Sequence, residues 1–228
     1  MKKWMLLVIV FTGFGFQWVS HFNSTIRIPK GFVYLTDVIP NIRVDLRYLG
    51  NNNFVGEPIS GYKREVVIIS KAAAQALSKV QKEVAKRNLC LKVFDAYRPQ
   101  KAVNHFVRWA KDLNDTANKH IYYPEIDKPD LFELNYIASK SGHSRGSTID
   151  LSLVDSEELE LDMGTPWDYF GPKSWPTDTT ISKIAQQNRT YLREIMIANG
   201  FKPYEEEWWH FTLKEEPFPN TYFDFDVQ

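Results

Sequence analysis

Two stretches far apart in the chain carry side chains suited to a single metal ion: Ser141-Gly-His-Ser-Arg-Gly-Ser-Thr-Ile-Asp150 and Glu207-Trp-Trp-His210. His143, Asp150 and His210 offer two imidazole nitrogens and a carboxylate oxygen, and Glu207 stands spare beside the last. Three protein ligands with a fourth position left for water is how a catalytic zinc is held, whereas structural zinc sites are closed by four. A nearby carboxylate that is not a ligand can take a proton from that water. Of the five histidines in the chain, His21, His105 and His120 have no such neighbours and are expected to be structural or exposed. The residues point to a zinc peptidase with one Zn2+ per chain.

The elements must then bring these groups together. Thr148 to Val154 alternates as a strand would, placing Asp150 and Ser152 on one face and Ile149, Leu151 and Leu153 on the other. Gly146 allows the loop before it to fold back toward Asp150, and Gly142 loosens the approach to His143. Glu207 and His210 are three apart, which on a regular strand puts them on opposite faces. They share a site only if Glu207 sits at a turn or bulge where the strand begins. Arg98 follows an apolar strand, Leu89 to Phe94, and is held by Pro99, which suggests a fixed guanidinium facing a cleft. Such a group stabilises the oxyanion that develops as a tetrahedral intermediate forms.

Elsewhere, Val33 to Ile39 and Ile42 to Tyr48 alternate as extended segments. Lys71 to Asn88 has helical spacing with Ser70 as N-cap, Gln100 to Asp112 is a helix, and Ile181 to Asn199 is a helix stopped by Gly200. Residues 113 to 140 are irregular, Thr165 to Asp178 is an ordered loop, and Trp208 to Leu213 is the closing strand. Helices and hairpin-like strands in mixed order indicate an α+β single domain with a small, mainly antiparallel sheet.

Lys2 and Lys3 followed by the apolar run Trp4 to Phe16 mark residues 1–20 as a signal peptide or an N-terminal anchor, leaving 21–228 as one domain. Export to the periplasm or the exterior is expected, with membrane attachment only if the segment is uncleaved. With 28 basic and 28 acidic residues the net charge is zero, so nucleic acid is not an expected partner, and no stable protein partner is implied. Cys90 is the only cysteine, so no intramolecular disulfide can form, and it is expected to be a buried strand residue.

At these residues the chain resembles the D-alanyl-D-alanine dipeptidases, zinc peptidases associated with vancomycin resistance. The resemblance runs through Val44-Asp-Leu-Arg-Tyr48, Asn53-Phe-Val-Gly56 with Gly61-Tyr62, Asp95-Ala-Tyr-Arg-Pro99, and Tyr122-Tyr-Pro124. It continues through Ala138 to Leu151, Met163-Gly164 with Trp167-Asp168, Glu207 to His210, and Pro219 to Phe225. It implies the α+β fold of D,D-carboxypeptidases and the hedgehog signalling domain, with His143, Asp150 and His210 on zinc. Glu207 is then the catalytic base and acid and Arg98 the transition-state stabiliser. Tyr48, Tyr62, Ser141 and Asp168 match positions that line the dipeptide cleft. Asp168 suits the ammonium of a free dipeptide, whose burial is costly without a carboxylate. Many members of the family are cytoplasmic, and an exported one fits scavenging or turnover of wall-derived dipeptide.

Two other functions share parts of this pattern. A D,D-carboxypeptidase acting on peptidoglycan stem peptides would use the same metal site but keep the amine end of its cleft open. A non-catalytic wall-binding module would lack a ligand or the base, and this chain keeps all four.

Overall fold

Residues 28–228 are described by the computed structural model; the expected signal or anchor at 1–20, and His21, lie outside the described residues. Among the described residues, seven strands form two sheets. β1 (Phe32–Tyr34) pairs antiparallel with β3 (Ile68–Ser70). The larger sheet holds β2 (Arg43–Val44), β4 (Cys90–Asp95), β5 (Thr148–Val154), β7 (Glu207–Leu213) and β6 (Phe201–Tyr204), in that spatial order. Only the β2–β4 pair is parallel. The α+β reading with a mainly antiparallel sheet therefore holds.

The main helices follow their sequence signals. α2 (Lys71–Ala85) starts where the Ser70 hydroxyl accepts the Ala73 N–H, and its Ala73, Leu77, Val80 and Val84 stripe is buried. α3 (Gln100–Lys111) begins directly after Pro99, and α5 (Lys183–Ala198) is capped by Ser182 and ends before Gly200 at φ 91°.

Four local expectations are corrected. Val33 to Ile39 is extended only to Tyr34 and then closes the single helical turn α1 (Leu35–Val38): the Leu35 N–H still continues the β1–β3 ladder to Val67 O, while the Leu35 carbonyl accepts the Ile39 N–H. Ile42 to Tyr48 gives only the two residues of β2 before a 3-10 turn over Arg47–Leu49. Residues 113–140 contain α4 (Lys119–Tyr122) and a 3-10 turn over Lys128–Leu131, where the buried Lys128 ammonium bonds Asp112 O and Asp115 O. Cys90 at the start of β4 is only half-buried, whereas the expected closing strand is present as β7, paired with β6 in a hairpin.

β5 is the central strand, and all seven of its residues are buried. Sheet burial on both faces is what puts a carboxylate, Asp150, inside the protein. Residues 218–227 lie as a strap across the elements that frame this region. Phe225 stacks on Tyr97 at 4.0 Å, Phe223 N–H donates to Ser144 O, Gln100 N–H donates to Phe223 O, and Val227 bridges to Tyr62.

Candidate active site

The three proposed ligands converge. The 3-10 turn Gly142–Arg145 carries His143, with the Ser141 hydroxyl accepting the His143 N–H at 3.3 Å and Gly146 closing the turn at φ 80°. A side chain at 146 is barred twice, by that φ and by Phe32, whose ring atom would lie 2.2 Å from a Cβ. Asp150 and His210 are direct cross-strand partners on β5 and β7, so the sheet itself sets their spacing.

The condition on Glu207 is met by a tight hairpin. Pro203 pairs with Phe211, but the next pair is Tyr204 with Glu207, so residues 204–207 form the turn and the β7 register shifts across Trp208 to His210. This irregularity brings Glu207 Oε2 within 3.3 Å of His210 Nδ1 despite the three-residue offset.

The donor set fits a tetrahedral cation. His143 Nε2 lies 3.3 Å from Asp150 Oδ1, His210 Nδ1 lies 3.1 Å from the same oxygen, and the two nitrogens are 3.3 Å apart. Zinc held at about 2.0–2.1 Å from each ligand in a tetrahedron needs ligand–ligand edges of roughly 3.3 Å. The chemistry agrees with the distances. His143 Nδ1 faces the Ala96 carbonyl at 2.7 Å, and a carbonyl only accepts, so Nδ1 holds the proton and Nε2 presents a lone pair. Asp150 Oδ1 is buried and its contacts are the two imidazole nitrogens themselves, so a cation among the three would satisfy it.

The electrostatics of these side chains point the same way. Burial would raise the Asp150 carboxyl, but the two imidazoles outweigh it and hold it well below the usual carboxylate range. Burial would lower His210, but its hydrogen bonds to Asp150 and Glu207 outweigh that and push it up to about 9. A site that attracts a proton this strongly is built for positive charge.

Around the ligands is a cleft of about 250 Å³ walled by Phe54, Phe106, Phe170, Tyr136 and Tyr204. Tyr48, Ser141, Asp168, Arg98 and Glu207 also line it. The Tyr48 hydroxyl donates to Asp168 Oδ2 at 2.7 Å, and Asp168 is buried in a left-handed conformation at φ 60°. Arg98 is mostly buried, its Nε donating to Asp95 Oδ2 at 2.8 Å and its Nη2 lying 3.6 Å from Asp150 Oδ2.

Tyr62 is not brought into the cleft. Its hydroxyl donates to Asp95 Oδ1 at 2.6 Å behind the site, because Gly61 turns at φ 96° and the chain there is bridged to Val227. Sequence reasoning did not single out Asp95, the Ala96 carbonyl, or Trp167, whose Nε1–H reaches Asp150 Oδ2 at 3.4 Å. Asp95 and Trp167 stand inside the quoted motifs, so position was available as a signal, but no residue-type argument picked them out. His105 is held by Glu57 and Ser60 and His120 is exposed.

The D-ala-D-ala dipeptidase family of Peptidase_M15 matches residues 29–228. A D-alanyl-D-alanine dipeptidase of Enterococcus faecalis is 42% identical over 200 residues, 87% of this chain and 98% of the relative. One from Streptomyces coelicolor is 40% identical over 197 residues, 86% and 98% of the two chains, and one from Escherichia coli is 31% identical over 183 residues, 80% and 84%. Among solved structures, an LD-carboxypeptidase aligns at TM-score 0.43 and 15% identity over 84% of this chain and 72% of its own. Matched nearly end to end by its relatives, the chain belongs to the D-alanyl-D-alanine dipeptidase family.

Proposed function

We propose that this protein is a zinc-dependent dipeptidase that hydrolyses free D-alanyl-D-alanine to two D-alanines. The observation that carries this reading is the small cleft, about 250 Å³, in which the three metal-ligand candidates share the walls with a buried acid, Asp168. That volume falls just below the usual range for drug-sized ligands, roughly 300–1,000 Å³, and suits a dipeptide better than a stem peptide.

His143, Asp150 and His210 would hold the metal, which when bound supplies a Lewis acid for the carbonyl and an acidified water. Glu207 accepts the proton of the attacking water and passes it to the leaving amine. Arg98 holds the carbonyl oxygen as it gains charge. Asp168, positioned by the Tyr48 hydroxyl, pairs with the dipeptide ammonium, and the Ser141 hydroxyl, whose oxygen caps His143 N–H, keeps its own proton free for the substrate. With residues 1–20 as export signal or anchor, the enzyme works in the periplasm or outside the cell, in turnover or scavenging of wall-derived dipeptide.

The test is a product assay with D-Ala-D-Ala, N-acetyl-D-Ala-D-Ala and a muramyl pentapeptide. Acetylation removes the ammonium and leaves Asp168 buried with the Tyr48 hydroxyl but no cation to pair with. Breaking a buried charge pair costs about 3–5 kcal/mol, so the blocked dipeptide should be cleaved roughly two or more orders of magnitude more slowly. Efficient release of D-alanine from either blocked substrate would instead establish a D,D-carboxypeptidase.

A further inference from the structure

The sheet register sets three side chains in one row: Asp95 on β4 faces Asp150 on β5, which faces His210 on β7. The mechanism employs the second and third and leaves Asp95 unused. This carboxylate is completely buried, and its oxygens are paired. The Tyr62 hydroxyl donates to Oδ1 at 2.6 Å, Arg98 Nε donates to Oδ2 at 2.8 Å, and His143 Nδ1 lies 3.6 Å from Oδ2. Arg98 thus spends its Nε on Asp95 while its Nη2 edge lies toward Asp150, with the guanidinium 5.2 Å from the Tyr48 ring and 5.3 Å from Phe106. A guanidinium anchored through Nε cannot turn about its last bond without breaking that contact, so both Nη nitrogens keep one orientation.

We infer that Asp95 is a positioning residue for the reaction: braced by Tyr62, it fixes the Arg98 guanidinium so that its Nη edge faces the metal-ligand cluster before substrate arrives. Donors fixed in advance need no reorganisation as charge develops, and a misplacement of about 1 Å can cost on the order of a hundredfold in rate. The inference rests on the proposed oxyanion role of Arg98. An ion pair that served only the fold would lower stability without distinguishing the tetrahedral species from the ground state.

The experiment compares Asp95→Asn, Arg98→Lys, the double variant and Tyr62→Phe. Asp95→Asn should keep its zinc, hold KM for D-Ala-D-Ala within about twofold, and lose about ten- to a hundredfold in kcat. Affinity for a phosphinate dipeptide, which mimics the tetrahedral species, should fall by the same factor. The double variant should be no slower than Arg98→Lys alone, since Asp95 acts through Arg98. Tyr62→Phe should give a smaller kcat loss in the same direction, and it carries the kinetic test if Asp95→Asn does not fold. In metal-free wild-type protein the Arg98 Nε–H should give a slowly exchanging NMR signal that is lost in Asp95→Asn. Multiplying losses in the double variant, or a change in melting temperature with kcat intact, would overturn the assignment. A wild-type protein inactive on D-Ala-D-Ala would defeat the proposed function, while the NMR signal would still decide whether Asp95 fixes Arg98.

Discussion

Asp168 is buried, holds a φ of 60°, and feels the charge of Asp150. Burial first, and repulsion from Asp150 second, push its carboxyl well above the usual range, although the Tyr48 hydroxyl and Arg98 oppose the shift. A carboxyl whose folded-state pKa exceeds its unfolded value binds more protons folded than unfolded between the two, so stability falls as pH rises through that window. Asp168→Asn should therefore melt higher than wild type at alkaline pH, with the gap closing in acid below the ordinary carboxylate range. Asparagine tolerates the left-handed conformation as well as aspartate, so the backbone does not confound the comparison. The same variant should raise KM for D-Ala-D-Ala, and thermal melts across pH beside steady-state kinetics check both halves. A stability difference that does not vary with pH would place the cause outside ionisation. Glu207→Gln is the complementary probe, nearly isosteric and unable to accept a proton. It should retain zinc and fold while kcat drops by about a hundredfold or more, the scale of lost general acid–base work.

Among the elements, the turn Gly142–Arg145 with Gly146 is the most exposed to a single methyl group. Gly146→Ala would be strained at φ 80° and would drive its Cβ into Phe32, a ring held among Tyr97, Phe218, Phe223 and Phe225 at 5.0–5.6 Å. Strain and overpacking together should cost about 2–5 kcal/mol and shift His143, three residues earlier, so zinc titration should show weakened affinity beside the lower melting temperature. Such local features were legible in the sequence, because a glycine at a turn and a serine before a helix each act on their own neighbours. The ligands were legible by type and spacing, and Glu207 as a conditional, its face decided by the hairpin turn at 204–207. Asp95 was not legible as a working group, because its place beside Asp150 depends on the pairing of strands more than fifty residues apart. Tyr62 was misplaced for the same reason: the motif gives its position, but only the Gly61 turn and the Val227 bridge decide that it faces Asp95. The helical turn after Tyr34 escaped an alternation argument that cannot see the Ile39–Leu35 backbone hydrogen bond closing it.

At the scale of the molecule, the site is mounted on a sheet whose apolar core is continuous and owes nothing to the metal ligands. Small metal-dependent domains unfold on chelation because binding free energy is their folding free energy. Here removal of zinc with a chelator should abolish hydrolysis, leave the far-ultraviolet circular dichroism unchanged and lower the melting temperature modestly, with activity restored by added zinc. Loss of secondary structure on chelation would show the ion to be part of the fold.

The strap formed by residues 218–227 ties the site to a segment that carries none of its reacting groups. Phe223 bonds the residue after His143 and the second residue after Arg98, and Val227 reaches Tyr62, the brace of Asp95. Residues up to 210 include the three ligands, Glu207, Arg98 and Asp168, yet the segments around Arg98 and His143 are tied down by residues beyond 218. The reacting groups and their fastening are therefore separate parts of the chain, and a polypeptide cut between residues 210 and 218 would hold the chemistry without the tie to Gln100, Ser144 and Tyr62.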